Sequence, residues 1–195
     1  MIKTVYDNYQ DIMRAILDLH VKDETFDIDP TYSSGKFYKG LQQPRKKFDL
    51  YPQTSDTVMS SSDSLPLDSD SVSSICFDPP FLAWHTKEDP TGIIGKRFHG
   101  FRYMQDVWDY YDRSLREFHR IVKKKGFVAF KCQDTVSSGK QWWSHVHIMQ
   151  EAEKIGFVTK DIFINVAKNR MIGHNHANQK HARKFHSYWI VLQKI

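Results

Sequence analysis

One acidic residue, two prolines and an aromatic residue form the stretch Asp78-Pro79-Pro80-Phe81. The apolar residues of 72–77 predict a short buried strand, which the prolines must end because proline cannot donate to a sheet ladder. Asp78 would then lie at the carboxyl end of a strand, where open α/β sheets bind ligands. An ordinary strand-terminating turn is the alternative interpretation of the same four residues.

This segment has the groups needed to bind an amine. The carboxylate of Asp78 and the backbone carbonyl of Pro79 can both accept hydrogen bonds from an NH2 group, in a segment that the fixed φ of proline stiffens. Such acceptors assist attack by the nitrogen because they are preorganised where positive charge develops. Phe81 is suited to stacking on a base flipped out of its helix, or else is a core aromatic residue.

Helical and strand patterns alternate along the rest of the chain, which predicts an α/β sandwich. Apolar residues at helical spacing predict helices over 4–19, 104–122 and 140–155. The serine-rich stretch 55–74 could be a linker, but it leads directly into the strand at 75–77, so we expect it to be ordered. Other strands are predicted in ETFDID, RKKFDL, GFVAFKC, GFVTKDIFIN and SYWIVLQK.

Bulk properties limit the class of protein. The 195 residues suffice for one sizeable core, and we expect residues 1–195 to form a single domain. No apolar run approaches the roughly 20 residues that span a bilayer, so we expect no membrane partner. Cys76 and Cys132 lie in apolar segments and are predicted to be buried free thiols, which is typical of an intracellular, cytoplasmic protein. The net charge of +5 favours polyanions as partners.

Two segments, 82–112 and 168–186, are candidate substrate-binding loops. The first mixes basic and aromatic residues, as surfaces that contact an extruded base do. The second has five Lys or Arg residues and no acid, which indicates phosphate contact, with a solvated surface loop as the alternative. Its histidines complete no familiar ligand spacing, so we expect no metal. The predicted nucleic-acid contacts are Lys96, Arg97, Arg102, Lys168, Arg170, Lys180, Arg183 and Lys184.

The order of these motifs resembles that of the class I S-adenosylmethionine-dependent amino-methyltransferases. More narrowly, it is similar to small DNA methylases that modify an exocyclic base nitrogen. The resemblance covers roughly residues 22–165, and its main motifs are LPLDSDSVSSICFDPPF and EFHRIVKKKGFVAFKCQD, with KHARKFHSYWIVLQK as the closing strand. The family signature Asp-Pro-Pro-Tyr has Phe in place of Tyr here. The resemblance implies a Rossmann-like α/β fold with a mostly parallel seven-stranded sheet, an antiparallel last strand and helices on both faces.

S-adenosylmethionine is the cofactor that the resemblance implies. The family's loop around the methionine moiety begins at Asp29, and Ser33 replaces its first glycine. Asp49 would accept both ribose hydroxyls, Asp63 would lie near the adenine amino group, and Lys131 is expected beside the active site. The implied cofactor-binding residues are Asp29, Pro30, Thr31, Tyr32, Gly35, Asp49 and Asp63.

The implied reaction is methylation of adenine N6 in double-stranded DNA, with the target base flipped out. Asp78 and Pro79 would hold the amine, and Phe81 would stack on the base. Aspartate rather than serine at position 78 favours adenine over cytosine. No separate segment of the chain is left to form a target-recognition domain. We therefore expect a loose preference for DNA sequence or recognition of the target by the two loops, within a monomer or a homodimer. The alternatives are cytosine N4, RNA or a protein amide as acceptor, and a non-catalytic nucleic-acid-binding module.

Overall fold

The computed structural model describes residues 1–83, 101–167 and 180–195. Within these residues a central sheet of eight strands and a separate two-stranded hairpin are formed. The strands are β1 (Val5–Tyr6), β2 (Ile28–Asp29), β3 (Lys46–Asp49), β4 (Val58–Met59), β5 (Val72–Phe77), β6 (Val122–Cys132), β7 (Thr135–Ser137), β8 (Lys140–Trp142), β9 (Phe157–Val166) and β10 (His186–Lys194). The order in the sheet is β1-β9-β10-β6-β5-β2-β3-β4, and β7 pairs with β8 in the hairpin.

The sheet is mostly parallel, as predicted, and its last strand is reversed. Strand β10 runs antiparallel to both of its neighbours, β6 and β9. The other neighbouring strands of the sheet pair in parallel. The predicted strand directions are therefore confirmed.

The predicted count of seven strands is one too few, because β1 adds an eighth. The helix predicted over 4–19 begins later, at Tyr9, and Val5 instead pairs in parallel with Ile164 of β9. The side chain of Asn8 caps the helix by accepting the backbone N–H of Asp11 at 2.9 Å. The apolar spacing of this segment fits a helical face, and a partner strand far along the chain determines where the helix begins.

Three α-helices are described: α1 (Tyr9–Ile16), α2 (Met104–Ile121) and α3 (Ser144–Lys154). A π turn (Leu17–Val21) continues α1, and a 3-10 turn (Lys36–Tyr38) precedes β3. The predicted loop 82–112 extends too far, since α2 already begins at 104. The helix predicted over 140–155 also begins later, because its first three residues form β8. No helix in the described ranges is both long and apolar enough to cross a bilayer.

Helices cover both faces of the sheet, as predicted. Successive residues of a strand point to opposite faces. In β5, Ile75 and Phe77 pack in an apolar cluster with α2 and α3, whereas Cys76 packs in a second cluster with α1. Cys76 and Cys132 are both buried and free, which confirms that prediction. The serine-rich stretch 55–74 is ordered and contains β4.

Candidate active site

A cavity of about 510 Å³ lies at the carboxyl ends of β2, β3 and β5. These strands are parallel neighbours or share a parallel neighbour, so the residues that end them meet at one edge of the sheet. The volume of the cavity is within the range of small-molecule binding sites. All seven residues predicted to bind the cofactor line it: Asp29, Pro30, Thr31, Tyr32, Gly35, Asp49 and Asp63.

Thr31 connects the loop after β2 to the Asp-Pro-Pro segment after β5. Its backbone N–H donates to Asp29 Oδ1 at 2.7 Å, and its hydroxyl donates to the same oxygen at 3.0 Å. The Thr31 hydroxyl oxygen also accepts the backbone N–H of Asp78 at 2.9 Å. One hydroxyl group therefore fixes two segments that the sequence separates by more than forty residues.

Asp29 is a buried carboxyl group at the base of this cavity, with only 2% of its surface exposed. Burial raises the pKa of Asp29 to about 7, against the opposing effect of hydrogen bonds from Tyr38 and Thr31. The Tyr38 hydroxyl donates to Asp29 Oδ2 at 2.7 Å. Both carboxyl oxygens of Asp29 are therefore held by the chain itself, which indicates that Asp29 shapes the loop.

Asp49, at the end of β3, closes the other side of the loop. Its Oδ2 accepts the backbone N–H of Ser33 at 2.7 Å, and its Oδ1 accepts that of Tyr51 at 2.7 Å. Ser33 has φ 53°, the left-handed conformation that glycine adopts most readily. The backbone therefore takes a glycine-like conformation where the resembled family has its first glycine.

Gly35 is required both by its conformation and by its neighbour. Its φ is +68°, and a Cβ atom at this position would lie 2.2 Å from the hydroxyl oxygen of Tyr32. Tyr32 is buried and donates its hydroxyl to Gln43 Oε1 at 2.5 Å, so its ring cannot move freely. A side chain at position 35 would therefore displace the wall of the cavity.

Asp63 lines the cavity with both oxygens already engaged. Arg113 Nε donates to Oδ2 at 2.9 Å, and the Ser61 hydroxyl donates to Oδ1 at 2.5 Å. Burial acts to raise the pKa of Asp63, but the hydrogen bonds from Arg113 and Ser61 outweigh it and lower the pKa. An amino group that binds at Asp63 would share this carboxylate with the guanidinium group of Arg113. The sequence analysis did not identify Arg113 as a residue of the site.

The Asp-Pro-Pro-Phe residues lie at different positions relative to the cavity. Asp78 and Pro80 line it, and the Pro80 carbonyl accepts the hydroxyl of Tyr111 at 2.8 Å. Pro79 is buried and Phe81 is half-buried, and neither contributes to the cavity wall. Asp78 Oδ2 accepts a hydrogen bond from Lys131 Nζ at 3.0 Å, so Lys131 lies beside Asp78, as expected.

Phe101 and Tyr110, both in the segment 82–112 that was predicted to bind substrate, also line this cavity. Their rings lie 5.2 Å apart between centroids, and the Tyr110 hydroxyl accepts the Ser62 hydroxyl at 2.6 Å. The mixture of basic and aromatic residues in that segment was therefore a usable signal for their position.

The predicted nucleic-acid contacts are only partly described. Lys96, Arg97, Lys168 and Arg170 lie outside the described residues, as do His174 and His176. Arg102 and Lys180 are exposed, and Arg183 is half-buried. Within the described ranges, no group of three or more His, Cys, Asp or Glu residues is arranged to hold a metal ion.

Lys184 contacts the β7–β8 hairpin, which sequence reasoning did not connect with function. Lys184 Nζ donates to Gln141 Oε1 at 3.1 Å and lies 5.1 Å from the ring centroid of Trp143. Trp143 is 48% exposed. The hairpin begins three residues after the last residue of β6, and no acid occurs in 135–150. It therefore lies on the same edge of the sheet as Asp78 and carries positive charge.

Comparisons with known proteins identify the fold. No family model matches the sequence, and no curated protein matches it. Among solved structures, the [4+2]-cyclase SpnF is 12% identical, over 95% of this chain and 81% of that chain, with a TM-score of 0.57. The 1,6-didemethyltoxoflavin-N1-methyltransferase of Burkholderia thailandensis, with bound 1,6-didemethyltoxoflavin and S-adenosylhomocysteine, is also 12% identical, over 96% and 79%, with a TM-score of 0.55.

A third match has a lower TM-score. A Thermus thermophilus protein provisionally named a DNA modification methylase, complexed with S-adenosyl-L-methionine, is 16% identical with a TM-score of 0.44. The match covers 66% of this chain and 48% of that chain, so this chain spans about half its length.

At these identities the matches establish the fold alone. The chain has a Rossmann-like fold, which it shares with solved methyltransferases. One protein with this fold is named a cyclase, so the fold alone does not determine which reaction is catalysed. The reaction must be inferred from the residues at the site.

Proposed function

We propose that this protein is an S-adenosylmethionine-dependent methyltransferase that modifies the N6 amine of adenine in DNA. The observation that carries the proposal is the position of Asp78. Its carboxylate lies at the carboxyl end of β5, on the wall of the same cavity as Asp29, Asp49 and Asp63. An amine acceptor and a candidate cofactor site are thus adjacent.

The loop after β2 and the end of β3 would hold the cofactor. S-adenosylmethionine, when bound, supplies an electrophilic methyl group on a positively charged sulfonium, which an acid-lined cavity complements. The left-handed backbone at Ser33 and Gly35 permits close approach to a ligand. Asp49, which lines the cavity at the end of β3, would accept the ribose hydroxyls. Asp63 would accept the adenine amino group beside Arg113.

Asp78 would activate the target amine. The lone pair of an adenine amino nitrogen is delocalised into the ring. A hydrogen bond from the amino N–H to the Asp78 carboxylate would localise more of that lone pair on the nitrogen. As the nitrogen gains the methyl group and the methyl–sulfur bond breaks, the amine loses one proton, to Asp78 or to water. Pro79 would supply a second acceptor through its carbonyl, and holding nitrogen and methyl in line contributes much of the acceleration.

Nucleic acid as acceptor is supported by the surface beside Asp78. Lys180, Arg183 and Lys184 precede β10, whose first residues lie on the same edge of the sheet because β10 is reversed. The acid-free hairpin adds Lys140, and Trp143, the residue that follows it, adds an exposed ring. Flipping a base costs a few kcal/mol of stacking, which aromatic contacts offset, and Phe81 is the residue proposed for that stacking.

An acceptor assay tests this proposal. Purified protein is incubated with methyl-tritiated S-adenosylmethionine and unmethylated plasmid DNA, folded RNA or a protein extract. Label in DNA supports the proposal. Label confined to RNA or protein contradicts DNA as the substrate. No label in any acceptor, together with no stabilisation of the protein by S-adenosylmethionine, contradicts methyl transfer itself.

A further inference from the structure

Lys131 binds the proposed amine-activating carboxylate from inside an aromatic enclosure. Its Nζ lies 3.0 Å from Asp78 Oδ2, and 15% of its side chain is exposed. The same nitrogen lies 5.7, 5.1 and 5.8 Å from the ring centroids of Tyr9, Phe37 and Trp189. An ammonium group within about 6 Å of an aromatic face is attracted by the ring quadrupole. Lys131 is thus held on several sides.

The backbone ladder sets this pairing. In the parallel pair β5–β6, Phe77 lies opposite Phe130. The next residue on each strand is Asp78 and Lys131, so the two side chains emerge side by side at the edge of the sheet. This arrangement does not depend on a flexible loop, and the lysine can hold the carboxylate in one orientation.

Two contacts fix Asp78 at opposite ends. The Thr31 hydroxyl accepts the backbone N–H of Asp78, and Lys131 binds one carboxylate oxygen. Among the described residues, no hydrogen-bond donor reaches the other carboxylate oxygen, Oδ1. Phe37, which contacts Lys131, also lines the cavity just after Gly35. The proposed cofactor loop and the carboxylate are therefore joined through Lys131.

We propose that Lys131 is a positioning residue for Asp78. It occupies Oδ2, which leaves Oδ1 to accept the target amine in a defined direction. It also places positive charge beside Asp78, at a cavity whose wall includes the carboxyl groups of Asp29, Asp49 and Asp63. This inference rests on the proposed function, because it concerns the same carboxylate.

Two substitutions separate the charge of Lys131 from its size. Lys131→Met keeps the length of the side chain and removes the ammonium, so kcat should fall by roughly 10- to 100-fold, the scale of a misplaced reacting group. The KM for S-adenosylmethionine should remain close to that of the wild type. Lys131→Arg should recover part of kcat because it retains a donor to Asp78. Lys154→Met, which breaks the surface pair with Glu151 on α3, is the matched control and should not change kcat.

A double-mutant comparison tests whether Lys131 acts through Asp78. Asp78→Asn keeps a carbonyl acceptor, so a residual rate should be measurable. Adding Lys131→Met to this variant should cause little further loss. Full additivity of the two losses, or a wild-type kcat in Lys131→Met, would overturn the inference.

An NMR measurement is independent of methyl transfer. The ε-methylene protons of Lys131 should be shifted upfield by the three rings, and the shift should change in Asp78→Asn. Unshifted protons would overturn the enclosure and the inference with it. A wild-type protein that shows the shifted signal but methylates no acceptor would contradict the proposed function, while the pairing of Lys131 with Asp78 would stand.

Discussion

Replacing Thr31 with valine tests the connection between the loop after β2 and the segment that begins at Asp78. Valine keeps the shape of threonine and removes the hydroxyl, which donates to Asp29 Oδ1 at 3.0 Å and accepts the Asp78 N–H at 2.9 Å. Asp29 Oδ1 retains the Thr31 backbone N–H at 2.7 Å, so the main loss is the acceptor for Asp78.

The size of the effect follows from these contacts. Leaving a largely buried N–H without an acceptor costs about 1–3 kcal/mol, so we expect a loss of ~2 kcal/mol in the free energy of unfolding. For a chain of this length, that loss corresponds to a decrease of about 4–8 °C in Tm. Under the proposed function, kcat should fall as well, because the backbone that presents the Asp78 carboxylate loses its anchor.

Urea unfolding and calorimetry measure this change directly. Thr31→Ser is the control, since it retains the hydroxyl and, because Thr31 is half-buried, should lose at most about 0.8 kcal/mol for one methyl group. If Thr31→Val unfolds at the same urea concentration and temperature as the wild type, the hydroxyl does not join the two segments and the geometry given for the site is wrong.

Further predictions concern the loop, the buried acid and the basic segment. Gly35→Ala should weaken S-adenosylmethionine binding at least tenfold by calorimetry, because its Cβ would meet Tyr32; unchanged affinity would show that the loop adapts. The raised pKa of Asp29 contributes stability that is present below the ordinary carboxyl pKa and lost as pH rises through about 7. Relative to Asp29→Asn, the wild type should therefore lose up to about 4 kcal/mol between about pH 4 and pH 8 in urea titrations, and parallel pH curves would refute this. Replacing three basic residues together by Ala should weaken DNA binding and reduce the slope of log K against log salt by up to ~3, whereas an unchanged slope would place them outside the DNA interface. These residues are Lys180, Arg183 and Lys184.

Much of the site could be predicted from local sequence. Asp78 follows the apolar run 75–77, and a parallel sheet brings the carboxyl ends of neighbouring strands to one edge. Proline punctuation and the apolar pattern therefore placed Asp78 at the end of a strand, whereas the resemblance supplied Asp29, Asp49 and Asp63. The resemblance also implied the antiparallel direction of the last strand, which these local signals do not contain.

The remaining features depend on contacts between residues far apart in the chain. Strand β1 exists because Val5 meets Ile164, and the spacing of its residues also fits a helix. The aromatic enclosure of Lys131 draws on positions 9, 37 and 189, which share no pattern. The β7–β8 hairpin was hidden because the apolar residues after it continue a helical spacing, while Ser138 and Gly139 turn the chain with positive φ.

The central claim is that Asp78 activates an adenine amine for methylation, and the identity of the methylated nucleoside tests it most directly. Plasmid DNA is incubated with S-adenosylmethionine and either the wild type or Asp78→Ala, digested to nucleosides and analysed by mass spectrometry. We predict N6-methyldeoxyadenosine with the wild type and none with Asp78→Ala, which should still bind S-adenosylmethionine. N4-methylcytosine would overturn the choice of base. Near-normal turnover by folded Asp78→Ala would contradict the role of this carboxylate.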